Sequence, residues 1–365
     1  MNLVEALQQV PDFRSRRGRR YPLWMLLLLG VMSTLCGCCR YREMASFCEA
    51  NRETLVDHFG LRHQRLPVHV TFRNLFKGVD FEALCTVFGQ WARQHVALED
   101  GAWLSIDGKA LRSTLSDYSE GHQNFVSLVS LFAHQQRQVL QVAHMENKRQ
   151  SEIPVVRQLI ETLHLQGAVL TLDALHCQKK TLEGIVASGN DYLVQVKANQ
   201  ASLHRQAQAL ARQQSPTDQV ETRERGRGRR EVRRVRLFRV EPEALAGWPG
   251  VRRLVLVERW RTEKGETSHS QSHYLSSLAC DRAAVFAAGV RGHWSIENQL
   301  HWIKDVLQHE DSCGIARGNG VETLSILKNI ALNLVRARGK EDKSVKKAAI
   351  YYAANVKRLL QILNF

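Results

Sequence analysis

The run WLSIDGKAL, residues 103–111, limits what this chain can become more than any other stretch. Trp103, Leu104 and Ile106 favour a strand. An apolar run this short that stops on Asp107, Gly108 and Lys109 predicts a buried strand delivering one carboxylate to a sheet edge. The device recurs. AVLTLDA, residues 168–174, is a second apolar run closing on an acid, Asp173, and HWSIENQLHW, residues 293–302, sets Glu297 within a helical pattern. An aspartate at a strand end is by itself commonly a turn residue or a helix cap. Three acids far apart in sequence, each on or beside an apolar element, together predict one acidic site assembled by folding.

Charge narrows the class of partner. Lys and Arg number 51 against 36 Asp and Glu, a net charge of +15 that points to a polyanion, either nucleic acid or an anionic membrane surface. With 44% hydrophobic residues over 365 positions the chain can bury a large core. Its eight cysteines form no paired C-x-x-C units, and Cys36, Cys38 and Cys39 fall inside an apolar run, which predicts reduced thiols in a cytoplasmic protein and no structural zinc. The stretch from Leu23 to Cys39 follows a basic group, the order of a membrane anchor, but its 17 residues include Gly, Ser and Thr. That length is at or below what a span needs, so the stretch predicts a buried helix and no membrane partner.

Residues 1 to about 95 read as helices, with Thr71 and Asp80 as caps. Arg14, Arg16, Arg17, Arg19 and Arg20 leave two readings open, a solvated tail or a phosphate-contacting arm. From Trp103 the pattern changes to strands: WLSID, then FVSLVSLFAH and QVLQVAHM around a polar turn at Gln135 to Arg137. SEIPVVRQLIETLH predicts a helix crossing over to AVLTLDA; another helix closes at Gly189, and DYLVQVK is a fifth strand. Three antiparallel strands, a crossover helix and two parallel strands separated by a helix is the order of a ribonuclease H-like fold. There the first and fourth strands lie side by side, so that Asp107 and Asp173 meet at one end of the sheet. A β-rich insertion follows, with Lys264 and Gly265 as a hairpin turn and an arginine-dense stretch over 225–236 in which Arg229 and Arg233 share a face, either a solvated ribbon or, as the overall charge favours, a phosphate track. A helix over about 281–309 then puts His293, Glu297 and His301 on one side, with Lys304 two turns beyond Glu297.

The segments IDGKALR, LDALHCQKKTLEGIVASGNDYLVQVKANQ, RGHWSIENQLHWIKDV and HEDSCGIARGN, followed by ALNLVR, resemble the bacterial insertion-sequence transposases of the DDE class, in the branch of the H-repeat-associated proteins. The resemblance runs from about Pro11 to about Arg338. It implies an α/β protein: a ribonuclease H-like mixed five-stranded sheet with a β-strand insertion, preceded by a helical N-terminal domain. The implied layout is a helical domain at 1–98, a catalytic core at 99–214 and 281–340 around an insertion at 215–280, and a basic C-terminal helix at 341–365. By position Asp107, Asp173 and Glu297 take the places of the family's three catalytic, metal-holding acids, with Glu310 and Asp311 in reserve. Lys304 matches the family's lysine, whereas Val290 and His293 stand where tyrosine and arginine are usual.

The activity so implied is cleavage at element ends and strand transfer into target DNA, with two Mg²⁺ or Mn²⁺ ions about 3.5 to 4 Å apart held by the carboxylates. Lys304, Lys109, Arg229, Arg233, Arg291 and His293 are the expected DNA-contacting residues. The implied partner is double-stranded DNA, both terminal inverted repeats and target, bound by a homodimer in the cytoplasm at the nucleoid. The rival class is a catalytically inactive DNA-binding remnant of such an element, and intact acids in an undisturbed order of segments favour the active form.

Overall fold

The computed structural model describes residues 1–116, 124–146, 151–226, 228–312, 314–315, 318–338 and 344–363. Helices lead: α1 (Leu3–Gln8), α2 (Leu23–Leu35), α3 (Tyr41–Ala50), α4 (Arg52–Phe59), α5 (His69–Gly78) and α6 (Phe81–His95). Strands β1 (Trp103–Ser116), β2 (Asn124–Ala133) and β3 (Gln138–Glu146) follow, then α7 (Glu152–Leu163), β4 (Val169–Leu172), α8 (Lys179–Ala187), β5 (Asp191–Val196) and α9 (Ala201–Gln213). The inserted strands β6 (Asp218–Gly226), β7 (Arg229–Arg239), β8 (Arg253–Glu263) and β9 (Glu266–Ser276) precede α10 (Ala283–His293), α11 (Trp302–Val306), α12 (Gly320–Arg338), α13 (Val345–Ala353) and α14 (Val356–Leu363).

The chain forms two compact units. One comprises Met1–Leu98, Gly108–Ser151 and Glu297–Phe365, the other Glu99–Asp107 and Glu152–Ile296. Strand β1 therefore leaves the second unit at Asp107, and the chain returns to the first at Glu297.

In the first unit α2 is buried along nearly its whole length, with Leu26, Leu27 and Leu29 fully enclosed. Its helix is 13 residues long, and among the described residues no helix is long and apolar enough to cross a membrane. The basic group before it is folded into a turn: Arg14 donates to Asp12 at 2.8 Å and to the Tyr21 carbonyl at 2.8 Å. Helix α12 is pinned to β3 through Asn333, whose Oδ1 accepts from the Val139 amide at 2.9 Å and whose Nδ2 donates to the Val139 carbonyl at 2.7 Å. These bonds satisfy a buried amide side chain that would otherwise cost stability.

In the second unit β1 and β4 run parallel with Trp103, Leu104 and Ser105 opposite Val169, Leu170 and Thr171. β5 lies parallel on the far side of β4. The expected neighbours, first strand beside fourth, are thus in place. The strand order is β3-β2-β1-β4-β5-β9-β8-β7-β6, a nine-stranded mixed sheet among the described residues where five strands were expected. The reason is at β5. Leu193 to Val196 pair antiparallel with Ser276 to His273 of β9, so the inserted strands continue the sheet through the edge that β5 would otherwise leave open. The hairpin between β8 and β9 turns on Lys264 (φ 51°) and Gly265 (φ 86°), the two left-handed residues of a two-residue turn.

Helix α10 packs Ala283, Phe286 and Val290 on Leu193, Val235, Leu237 and Val255 of this sheet. Gly289 is where the helix comes closest to β1: a Cβ there would lie 2.0 Å from the Trp103 indole, whose ring also meets Phe286 edge-on at 6.4 Å. The substitution Gly289→Ala should therefore cost about 1–3 kcal/mol by overpacking. Urea unfolding checks this, and an unchanged midpoint would show that the indole can yield.

Candidate functional site

The pairing of β1 with β4 stops at Ser105 and Thr171, and each strand reaches its acid two residues later. Asp107 and Asp173 therefore occupy equivalent positions just past the paired stretch of these neighbouring parallel strands, both half-buried; Asp173 follows the end of β4, whereas β1 does not stop at Asp107 as the apolar run suggested but continues to Ser116. Asp173 also caps the short helical turn behind it, its Oδ1 accepting from the Leu175 amide at 2.9 Å, which orients the carboxylate. The capping reading and the site reading of this aspartate coexist.

Behind the two acids lies a buried polar knot. Thr171 Oγ1 is 3.1 Å from both the Leu104 carbonyl and Ser105 Oγ, and His293 Nδ1 is 3.1 Å from the same hydroxyl. Ser105 Oγ donates to the His293 carbonyl at 3.3 Å. His293 is thus an interior residue rather than an open DNA contact. Burial pushes its imidazole below the ordinary histidine range, against the pull of Asp107 and Asp173, the two carboxylates that act on it most strongly. The sequence pattern did not expose this supporting role, because Ser105 and Thr171 are ordinary strand residues until the strands are paired.

Glu297 opens the first unit's last segment and is exposed. The continuous helix expected over about 281–309 is broken. α10 ends at His293, residues Glu297–His301 form a π turn, and α11 resumes at Trp302. Glu297 and His301, at the two ends of this turn, still bring their ligand atoms within 4.8 Å of each other, while His293 faces the buried knot behind the strands. Such turns are frequent at functional sites.

Lys304 and Lys109 converge on a carboxylate in the interior of the first unit. Glu310 is 1% exposed; its Oε1 is 3.1 Å from Lys304 Nζ and its Oε2 2.9 Å from Lys109 Nζ. Lys304, itself 2% exposed, also donates to Ser325 Oγ at 2.6 Å, and Lys109 pairs with Asp305 and with Asp311 at 3.6 Å. Burial raises the cost of the Glu310 charge, but Lys304, Lys328 and Lys109 outweigh it and hold the carboxyl well below the usual range. Burial pulls Lys304 down to about 8 despite Glu310. Burial acts on Lys109 in the same sense, yet its carboxylates prevail and raise it. Both lysines are thus committed to internal ion pairs, and Glu310 is fully engaged as their counter-charge.

The remaining expected contacts lie in the second unit. Arg291 pairs with Glu224, and Arg233 with Glu231, which also binds Arg259 at 2.6 Å. Arg229 is exposed at the start of β7.

Residues 4–92 match the family described as DDE_Tnp_1-associated, and residues 100–334 match the family described as Transposase DDE domain, which covers more than half of the chain. The chain belongs to the DDE transposase family. Similar proteins include one from Escherichia coli O157:H7 entitled "Putative transposase YncI", 30% identical over 350 residues that span 92% of this chain and 87% of that protein. Another is "H repeat-associated putative transposase YhhI" of Escherichia coli strain K12, 28% identical, spanning 91% of this chain and 90% of the relative. These matches put the chain in the H-repeat-associated branch and make it a transposase by family.

For this transposase the Glu310 cluster has a measurable consequence. Glu310→Gln leaves the buried ammonium groups without their counter-charge and should cost about 3–5 kcal/mol at pH 7. Because the folded-state pKa of Glu310 is depressed, the stability it contributes is present above the usual glutamate pKa and is lost as pH falls below about 4.5. Urea midpoints at pH 7 and pH 3 should show the gap between wild type and variant shrinking in acid. A gap independent of pH would contradict the ionised pairing.

Proposed function

We propose that this transposase cuts DNA at the ends of its element and joins those ends to target DNA, using a divalent-metal site built from Asp107, Asp173 and Glu297. The observation that carries the reading is the arrival of Asp107 and Asp173 at equivalent positions on neighbouring parallel strands. Hard carboxylate oxygens in that arrangement fit Mg²⁺ or Mn²⁺. Asp107, Asp173 and Glu297 would hold the metal through their carboxylates, and His301, whose imidazole nitrogen lies within 4.8 Å of a Glu297 carboxylate oxygen, is a donor that the sequence pattern left out of the metal set. Metal bound there supplies positive charge to the scissile phosphate and lowers the pKa of the attacking hydroxyl group or water.

The chain's own groups do the rest. His293, held by Ser105 and Thr171, fixes the two strand ends so that the carboxylates need not reorganise during the reaction. Asp173 keeps its orientation through the Leu175 amide. Lys109 and Lys304 act through Glu310 as positioning groups for the segments that carry Asp107 and Glu297, and Arg291 backs the insertion through Glu224. In this reading β1 to β5 with α7 and α8 form a ribonuclease H-like core spanning 99–214 and 281–340, the insertion is 215–280, and the active species is a homodimer on paired terminal inverted repeats.

Cleavage of duplex DNA carrying the element's ends tests the assignment. Asp107→Asn and Asp173→Asn should each lower the Mg²⁺-dependent rate on the order of a thousandfold, equivalent to about 4 kcal/mol, while duplex binding persists. Wild-type rates in either variant would remove the acids from the chemistry. Wild-type protein that binds the ends yet never cleaves with Mg²⁺ or Mn²⁺ would make the chain a DNA-binding remnant.

A further inference from the structure

The four inserted strands form an antiparallel ribbon whose two faces can be sorted by register, and they differ in charge. Directly paired residues share a face. On the face that α10 covers at its inner end, Arg229, Arg233, Arg259 and Arg261 are interleaved with Glu224, Glu231, Glu263 and Glu266. That face neutralises itself, with Glu231 binding Arg233 and Arg259, and Glu263 binding Arg261.

The opposite face is different. Its outermost row is Arg225, Arg230, Thr262 and Thr267, and the next is Arg223, Val232, Trp260 and His269, with no acid in either. Arg225 and Arg230 stand directly opposite each other and are both exposed, and among the described residues neither pairs with a carboxylate. Like charges placed opposite across a ladder repel. The row behind contains Glu221, shared by Arg223 and Arg234 at 2.9 Å each, and Glu258, which Arg236 binds at 3.0 Å. Trp260 stiffens the patch: His269 stacks on it at 4.8 Å and the Arg234 guanidinium lies 5.3 Å from its centroid.

We infer that this second face, through Arg225 and Arg230, binds the phosphate backbone of duplex DNA. The inference rests on the DNA reading proposed above and relocates the insertion's DNA contact from the face of Arg229 and Arg233 to its reverse. A phosphate between Arg225 and Arg230 removes their repulsion. The indole of Trp260 is already engaged by His269 and Arg234, so the contact is to backbone rather than to stacked bases, and it carries no sequence preference.

The test is the salt dependence of binding by the full chain to a labelled duplex of arbitrary sequence, followed by fluorescence anisotropy. Each lost phosphate contact lowers the slope of log K against log salt concentration by about 0.9. Arg225→Ala with Arg230→Ala should flatten the slope by about 2, whereas Arg229→Ala on the other face should change it by less than about 0.5. Thermal melting of each variant keeps a folding defect apart from a binding defect, and the exposed positions should leave the melting temperature unchanged. Wild-type binding with an unaltered slope in the double variant would overturn this face while leaving the DNA reading intact. Failure of the wild type to bind any duplex would overturn both.

Discussion

Five residues of β1 and four of β4 set the terms for the rest of the molecule. Leu104, Ile106, Leu170 and Leu172 are all buried to within 2% exposure, as strands covered on both faces of a parallel sheet must be. A carboxylate cannot remain ionised inside such a layer without heavy cost. Asp107 and Asp173 therefore have to fall where the β1–β4 ladder ends, and the register that pairs Ser105 with Thr171 brings both acids to that point together, while β1 itself runs on to Ser116. Parallel pairing demands a crossover, which α7 provides. The acids are adjacent because the apolar strands are in register.

Two sets of buried polar groups fix what the strands deliver. In the second unit, Ser105, Thr171 and His293 hydrogen-bond in the layer just behind the acids. In the first, the carboxylate of Glu310 receives Lys109, two residues beyond Asp107, and Lys304, seven beyond Glu297. Neither arrangement is an efficient way to gain stability, since desolvating charges costs about as much as pairing returns. Their value lies in geometry. An ion pair with a single satisfactory arrangement restricts where β1 and α11 can go, and that restriction is what a carboxylate site requires.

Much of this was legible in the residues. The short apolar runs ending on Asp107 and Asp173, the crossover pattern of Ile153, Val156, Leu159, Ile160 and Leu163, and the Lys264–Gly265 turn all rest on local periodicity or backbone conformation, which a sequence carries directly. Several features did not. The helix expected over 281–309 is interrupted by a turn at Trp294 and the π turn Glu297–His301, next to the point where His293 is tied to β1 by Ser105, a residue far away in sequence. Lys304 read as a DNA contact because helical periodicity does not show that the chain leaves the helix after Val306 and folds Glu310 back onto it, beside Lys109 from β1. The arginines of 225–236 could not be sorted into faces without the register of β6 on β7, since a shift of one residue exchanges the two faces. The extension of the sheet to nine strands likewise depends on β9 finding β5, a long-range pairing with no local signature.

If Asp107, Asp173 and Glu297 serve one metal-holding site, that site has to be measurable without any turnover. Electron paramagnetic resonance of Mn²⁺ titrated into the full chain reads the free ion directly. Wild type should take up Mn²⁺ in stoichiometric, Mg²⁺-competed fashion, and Asp173→Asn and Glu297→Gln should each weaken that uptake by tenfold or more, about 1.4 kcal/mol. Uptake equal to wild type in both variants would mean that these carboxylates do not share an ion, and the site built on them would fall.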